Sequence, residues 1–176
     1  MATPEVLPDD PLERAQLGDH DAFAALISGH QSIVFSIAWN FFGNRDRAEE
    51  IAQEVFLQLF RNLRNIESRQ HLLFWLRQVT TRKCIDESRR KVPPSIDIMD
   101  AEIGVAAVVP DPFLRRRVRR LIDDLPPLQR LVLTLRYQED LGPGDIGEIV
   151  GMPLNSVKSC LHRALLSLRR DLGETV

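Results

Sequence analysis

The stretch DIGEIVGMPLNSVKSCLHRALLSLRR, residues 145–170, decides how this chain is read. Its first part carries Ile146, Gly147 and Val150, then the turn residue Gly151 ahead of Met152 and Val157. That order is the pattern of a helix-turn-helix. Gly147 lets two helices cross closely, and Gly151 supplies the backbone conformation that a tight turn demands. In the second helix Leu154, Val157, Leu161, Ala164, Leu165 and Leu168 recur at helical spacing, so one stripe is expected to seat on a core. Between them lie Asn155, Ser156, Lys158, Ser159, His162 and Arg163, all donors or cations, with no acid before Asp171. A polar face of that composition on the second helix of such a unit is expected to enter a major groove.

The helical period continues outward from this unit, and there is almost no strand signal. FLRRRVRRLIDDL (113–125) and PPLQRLVLTLRYQEDL (126–141) read as helices, with Pro126-Pro127 placed where prolines open one. Before them, VPPSIDIMDAEIGVAAVVPDP (92–112) holds prolines 93, 94, 110 and 112, no basic residue and no sustained period. It reads as a flexible linker. At full extension it reaches about 70 Å, roughly two turns of duplex at ~34 Å each. Upstream, Leu72, Leu73, Trp75, Leu76, Val79 and Ile85 mark a helix ending in SRRK, preceded by the short polar loop NIESRQ (65–70). Ala48, Ile51, Ala52, Val55, Phe56, Leu59 and Leu63 fall on one face of the helix before that, while Asp46, Glu50 and Glu54 step by four along another. Gly43-Asn44 is a turn. Residues 22–42 carry one or two helices, with Gly29 a possible break. The expected fold class is therefore all-α: two small helical domains joined by a flexible linker, the second containing the helix-turn-helix. Residues 1–14 form a tail, 15–91 the first domain, 92–112 the linker and 113–176 the second domain.

Composition narrows the function classes. The 176 residues are 44% apolar and 27% charged, ordinary for a soluble globular chain. The net charge of −2 hides an uneven distribution: residues 1–50 are acidic, whereas 61–91 and 115–120 are basic. Such asymmetry suggests polyanion contact at particular places and a different partner for the acidic part. Cys84 and Cys160 lie inside helical patterns without CxxC spacing, which argues against a disulfide framework or zinc site and fits a reducing cytosol. The N-terminus has no basic start followed by an apolar run, so no secretory signal is expected. Residues 22–43 lack Asp, Glu, Lys and Arg and are long enough to span a bilayer. His30, Gln31, Ser32 and Asn40 interrupt them, so a buried helix without membrane insertion is the expectation.

Three segments together, RDRAEEIAQEVFLQLFRNL, FWLRQVTTRKCIDESRRK and the stretch from Leu125 to Arg170, resemble a bacterial RNA polymerase sigma factor of the extracytoplasmic-function group. The resemblance spans roughly 15–91 and 113–172, a region-2-like and a region-4-like domain, with no domain between them and no long acidic N-terminal extension. It implies a protein that docks on the clamp of core RNA polymerase through Asp46, Glu50, Gln53 and Glu54. It implies that the downstream promoter element is held as single-stranded DNA by Asn65, Ser68, Arg69 and Gln70 of the loop, then Arg77, Thr80, Thr81 and Arg82. Arg89, Arg90 and Lys91 would add sequence-independent phosphate affinity. Phe74 and Trp75 offer a stacking surface, although Trp75 lies on the apolar stripe. Arg82 stands where many members of the family carry Asn. The upstream element would be read as duplex by Ser156, Lys158, Ser159, His162 and Arg163. Cys160 replaces the arginine usual in that motif, so a Cys160→Arg variant is expected to steepen the salt dependence of binding.

By the same resemblance the protein works in the cytoplasm, uses no cofactor or metal, and pairs with an anti-sigma protein that covers both DNA-binding domains. The alternative is a stand-alone helix-turn-helix transcriptional regulator without polymerase binding, which leaves 46–91 without a purpose. An enzyme is disfavoured: there is no Gly-rich phosphate loop, and His20, His30, His71 and His162 are scattered. A purely structural helical adaptor predicts no salt-sensitive DNA affinity.

Overall fold

The computed structural model describes residues 10–89 and 112–173. The expected linker, apart from Pro112, lies outside the described residues, as do Arg90 and Lys91. Among the described residues there are eight α-helices and no strand: α1 (Pro11–Gln16), α2 (His20–Phe42), α3 (Arg45–Asn62), α4 (Arg69–Arg89), α5 (Pro112–Asp123), α6 (Pro127–Tyr137), α7 (Pro143–Val150) and α8 (Leu154–Gly173). A 3₁₀ turn, Leu63–Asn65, follows α3.

Local chemistry sets the helix starts. Asp10, Asp19 and Asn44 each accept backbone N–H bonds in the first turns of α1, α2 and α3, taking up donors that have no partner within the helix. Ser68 does the same for α4, its Oγ accepting from His71 N–H. Prolines open α6 and α7, where a missing N–H costs nothing. Two expectations change here. Gly29 does not break α2, which runs unbroken and leaves that residue exposed. Residues 11–14, read as tail, belong to α1, whose Leu12 and Ala15 are buried.

The first module is built on α2, α3 and α4. Val34, Ile37 and Ala38 of α2 pack with Ile51, Val55 and Leu59 of α3 and Leu72, Leu76 and Cys84 of α4. Each fully buried Leu or Ile contributes about 1.5–3 kcal/mol relative to exposure. α2 is long and apolar enough to cross a bilayer by length and composition alone, yet Leu26, Val34, Ile37, Ala38 and Phe41 are buried, and α1, α3, α4 and α6 pack against the helix. In the second module, α6 contributes Leu131, Val132 and Leu135, α7 contributes Ile146 and Ile149, and α8 contributes Val157 and Cys160. Leu125, Leu133 and Ala164 form a smaller cluster beside them.

The two modules touch. Their cores run into one another as a continuous apolar cluster, with α6 against α2 and α7 against α4. Polar contacts flank the seam. Gln138 Oε1 accepts from Asn40 Nδ2 at 2.8 Å and from Ser36 Oγ at 3.1 Å. The Arg77 guanidinium donates twice to Glu139 Oε2, from Nε at 2.9 Å and Nη2 at 2.7 Å. These side chains are only 18% and 9% exposed, so the pair is largely withdrawn from water.

Candidate nucleic-acid interfaces

The helix-turn-helix is built as its glycines require. Gly151 sits at φ 74°, the left-handed region, and donates to Gly147 C=O at 2.9 Å, as does Met152 N–H. A Cβ on Gly147 would stand 2.7 Å from the Met152 carbonyl oxygen. The closest approach is thus to the backbone of the turn, nearer than to the crossing helix, where Val157 Cγ2 lies 3.8 Å away. Asp145 at the third position of α7 accepts from Gly142 N–H, compensating for a helix start without a polar side chain.

On α8 the expected reading face stands outward. Lys158, Ser159, His162 and Arg163 are exposed, and Ser156 is half-buried. Arg163 Nε donates back to Ser159 C=O, which lays the guanidinium along the helix. Two expectations are corrected. Leu154, assigned to the buried stripe, is 46% exposed. Cys160, assigned to the phosphate-facing side, is buried and belongs to the main apolar core. It lies one turn past Val157 and one turn before Ala164, on the inner stripe rather than the outer face. Burial pushes its thiol pKa up, against a smaller opposing pull from Arg163, and burial also raises that of Cys84. Both thiols stay protonated and inert. A Cys160→Arg change would start a long cation from the buried stripe, so loss of packing is expected beside the steeper salt dependence.

The downstream surface is assembled differently. Asn65, Gln70 and Arg82 are exposed. Ser68 is spent on capping α4, and Arg69 donates from Nε and Nη2 to Asp10 Oδ1 at 3.1 and 3.0 Å. Thr80 and Thr81 are fully buried, and the Thr80 hydroxyl donates to Leu76 C=O, so neither is presented to a strand. Arg77 faces Glu139 instead of solvent. Phe74 and Trp75 are half-buried and pack on the main core, leaving only part of each ring outside. Of the cationic end of α4, the Arg89 side chain lies outside the described residues with Arg90 and Lys91.

On α3, Asp46, Glu50, Gln53 and Glu54 are all exposed along one side. Their charge is partly answered internally: Lys83 Nζ reaches Glu54 at 2.7 Å, and Arg47 lies 3.8 Å from Glu50 and 2.7 Å from Glu87. One helical turn beyond, Leu57 and Phe60 are exposed at 57% and 55% and, with Phe23, Ile27, Gln53 and Phe56, line an apolar groove between α2 and α3. Sequence reading passed over this groove, although two large apolar residues off the buried stripe of α3 were its signal. The α5 arginines also serve the fold in part, since Arg117 donates to Asp171 and Leu172 C=O at the end of α8 and Arg119 pairs with Asp123.

Two helical modules, one carrying a helix-turn-helix with a cationic outer face, define a class of DNA-reading protein. Residues 26–92 match the family model for Sigma-70 region 2 and residues 115–168 that for Sigma-70, region 4. Similar proteins include the ECF RNA polymerase sigma-E factor of Haemophilus influenzae, 30% identical over 91% of this chain and 93% of that one. The ECF RNA polymerase sigma factor SigW of Bacillus subtilis is 28% identical over 93% and 95%. This chain belongs to the ECF group of RNA polymerase sigma factors. Among solved structures, the sigma factor RpoE in complex with the anti-sigma factor NepR from Bartonella quintana has a TM-score of 0.68 at 17% identity, covering 88% of this chain and 98% of that one. CnrH in complex with the cytosolic domain of CnrY gives 0.65 at 16%, covering 94% and 97%. At these identities they establish a shared fold.

Proposed function

We propose that the chain binds core RNA polymerase in the cytoplasm, seats α8 in the major groove of an upstream promoter element, and captures the opened downstream element with the 65–70 loop and α4. The observation that carries this is the outward face Lys158, Ser159, His162 and Arg163 on the second helix of a helix-turn-helix. Four exposed donors and cations there match the acceptors of bases and phosphates. The carboxylate side of α3, Asp46 to Glu54, supports docking to a basic helix of the polymerase, and Leu57 with Phe60 extends that surface into an apolar groove.

Strand opening costs stacking energy, which contacts to unstacked bases and phosphates offset. Asn65, Gln70 and Arg82 are exposed for that purpose, with Arg89, Arg90 and Lys91 as phosphate partners. Arg77 joins them once it leaves Glu139. The protein supplies binding energy and performs no covalent step. An anti-sigma protein that covers the DNA-reading faces is its natural inhibitor. Run-off transcription with purified core enzyme on genomic fragments tests the whole reading. Promoter-dependent transcripts that require this chain are expected; DNA binding without initiation would reduce it to a stand-alone regulator.

A further inference from the structure

We propose that Gln16, in the helix that precedes the whole nucleic-acid surface, is a positioning residue for capture of the opened downstream strand; this rests on the reading of residues 65–82 as that surface. The bend after α3 has little backbone pairing of its own. Within it, Ile66 N–H donates to Leu63 C=O at 3.2 Å. The Gln16 side-chain amide closes it from outside, Nε2 donating to Leu63 C=O at 3.0 Å and to Ile66 C=O at 2.7 Å. One amide group therefore ties both edges of the four-residue bend, and the exposed Asn65 projects from between the two anchored carbonyls.

The anchor itself is fixed. Leu12 and Ala15 of α1 are buried in the main core, and Leu63 and Ile66 are buried beneath the bend, so both sides of the staple stand on packed side chains. At the far edge of the loop, Asp10 at the start of the same helix holds Arg69. α1 thus brackets the loop at both ends, with the exposed Asn65 inside the bracket and the exposed Gln70 directly after its Arg69 end. Water can satisfy two carbonyls as well as an amide can. What water cannot do is hold a base-reading side chain within the ~0.5 Å that productive contact demands.

Two variants separate positioning from general stability. Gln16→Glu keeps shape and length but turns carboxylate oxygens toward the two carbonyls. Gln16→Lys keeps a donor that can reach them. Each is assembled with core polymerase and assayed by run-off on the promoter fragment most active with the natural chain, and on derivatives exchanging each base of the downstream element. Binding to core enzyme and to upstream duplex is measured alongside. The natural chain and Gln16→Lys are expected to discriminate between bases alike, while Gln16→Glu loses about tenfold of that discrimination at unchanged core and duplex affinity. An unaltered base ratio in Gln16→Glu, an equal fall on every fragment, or a matching loss in Gln16→Lys overturns the inference alone. Absence of initiation by the natural chain overturns the functional reading and this inference with it.

Discussion

The two proposed nucleic-acid surfaces are made in opposite ways. The upstream surface is one helix, α8, set by the turn at Gly151, with Lys158, Ser159, His162 and Arg163 facing outward and Ser156 half-buried. The downstream surface is a composite. Its loop is stapled by α1, its helix α4 is packed between α2, α3 and α7, and one of its cations is held by a carboxylate 62 residues further along. A surface on a single amphipathic helix inherits its exposure from periodicity. A composite surface owes its exposure to whatever packs against it. In this arrangement the upstream face is open, whereas part of the downstream face is turned into the seam between modules.

The sharpest way to break that contrast is to disturb α8 from the inside. Cys160→Arg forces a much larger, charged side chain onto the buried stripe, and a loss of about 1–3 kcal/mol from overpacking is expected. Thermal unfolding checks it; an unchanged midpoint with a steeper salt slope would return Cys160 to the outer face. Next comes Gly147→Ala. Its Cβ would meet the Met152 carbonyl oxygen at 2.7 Å, and forced overpacking costs about 1–3 kcal/mol, more than the ~1 kcal/mol gained in helix propensity. Upstream-element affinity should fall with stability, as read by gel shift and calorimetry together.

The downstream side is probed through the seam. Glu139→Gln removes the charge opposite Arg77 and is expected to weaken module contact by about 1–3 kcal/mol, the scale of a charge-assisted hydrogen bond. Fluorescence transfer between labels on α3 and α8 should report wider separation. Identical transfer in both proteins would mean that the apolar seam holds alone. On the open face, Lys158→Ala should leave stability within about 0.5 kcal/mol and reduce the slope of log affinity against log salt by about 1. The smallest effect concerns pH. The Arg69 hydrogen bonds, then Leu12 N–H, hold the Asp10 carboxyl below its usual value, and Ala22 N–H, then Arg14, do so for Asp19. A depressed folded pKa means these caps contribute above the ordinary aspartate value near ~3.9 and are lost as pH falls through the lower folded value. Hydrogen exchange in α1 should therefore stay slow at mildly acidic pH and quicken only below that ordinary value, with α8 unaffected.

Legibility in the sequence follows the same division. The helices of both modules, the turn glycines and the outward residues of α8 could be read because period and turn chemistry act within a few residues. Arg77, Thr80 and Thr81 were expected at a DNA surface, but a cation and two small hydroxyls on a helix carry no sign of what packs opposite them. Thr80 could satisfy its hydroxyl within its own helix, and that freed it to be buried. Ile66, a lone apolar residue in a polar loop, was the one local sign that the loop is anchored. Gln16 and Asp10 gave none, since their partners lie 50 and 59 residues away.

By itself, the sequence determined that this chain is helical, that it divides into two modules, and that one helix bears a cationic outer face, because those properties are written in local spacing and composition. Only the tertiary structure decided that Cys160 turns inward, that α1 braces the loop, and that Arg77 answers Glu139. Those outcomes depend on which surfaces meet across the fold, and burial is a property of the meeting, not of the residue.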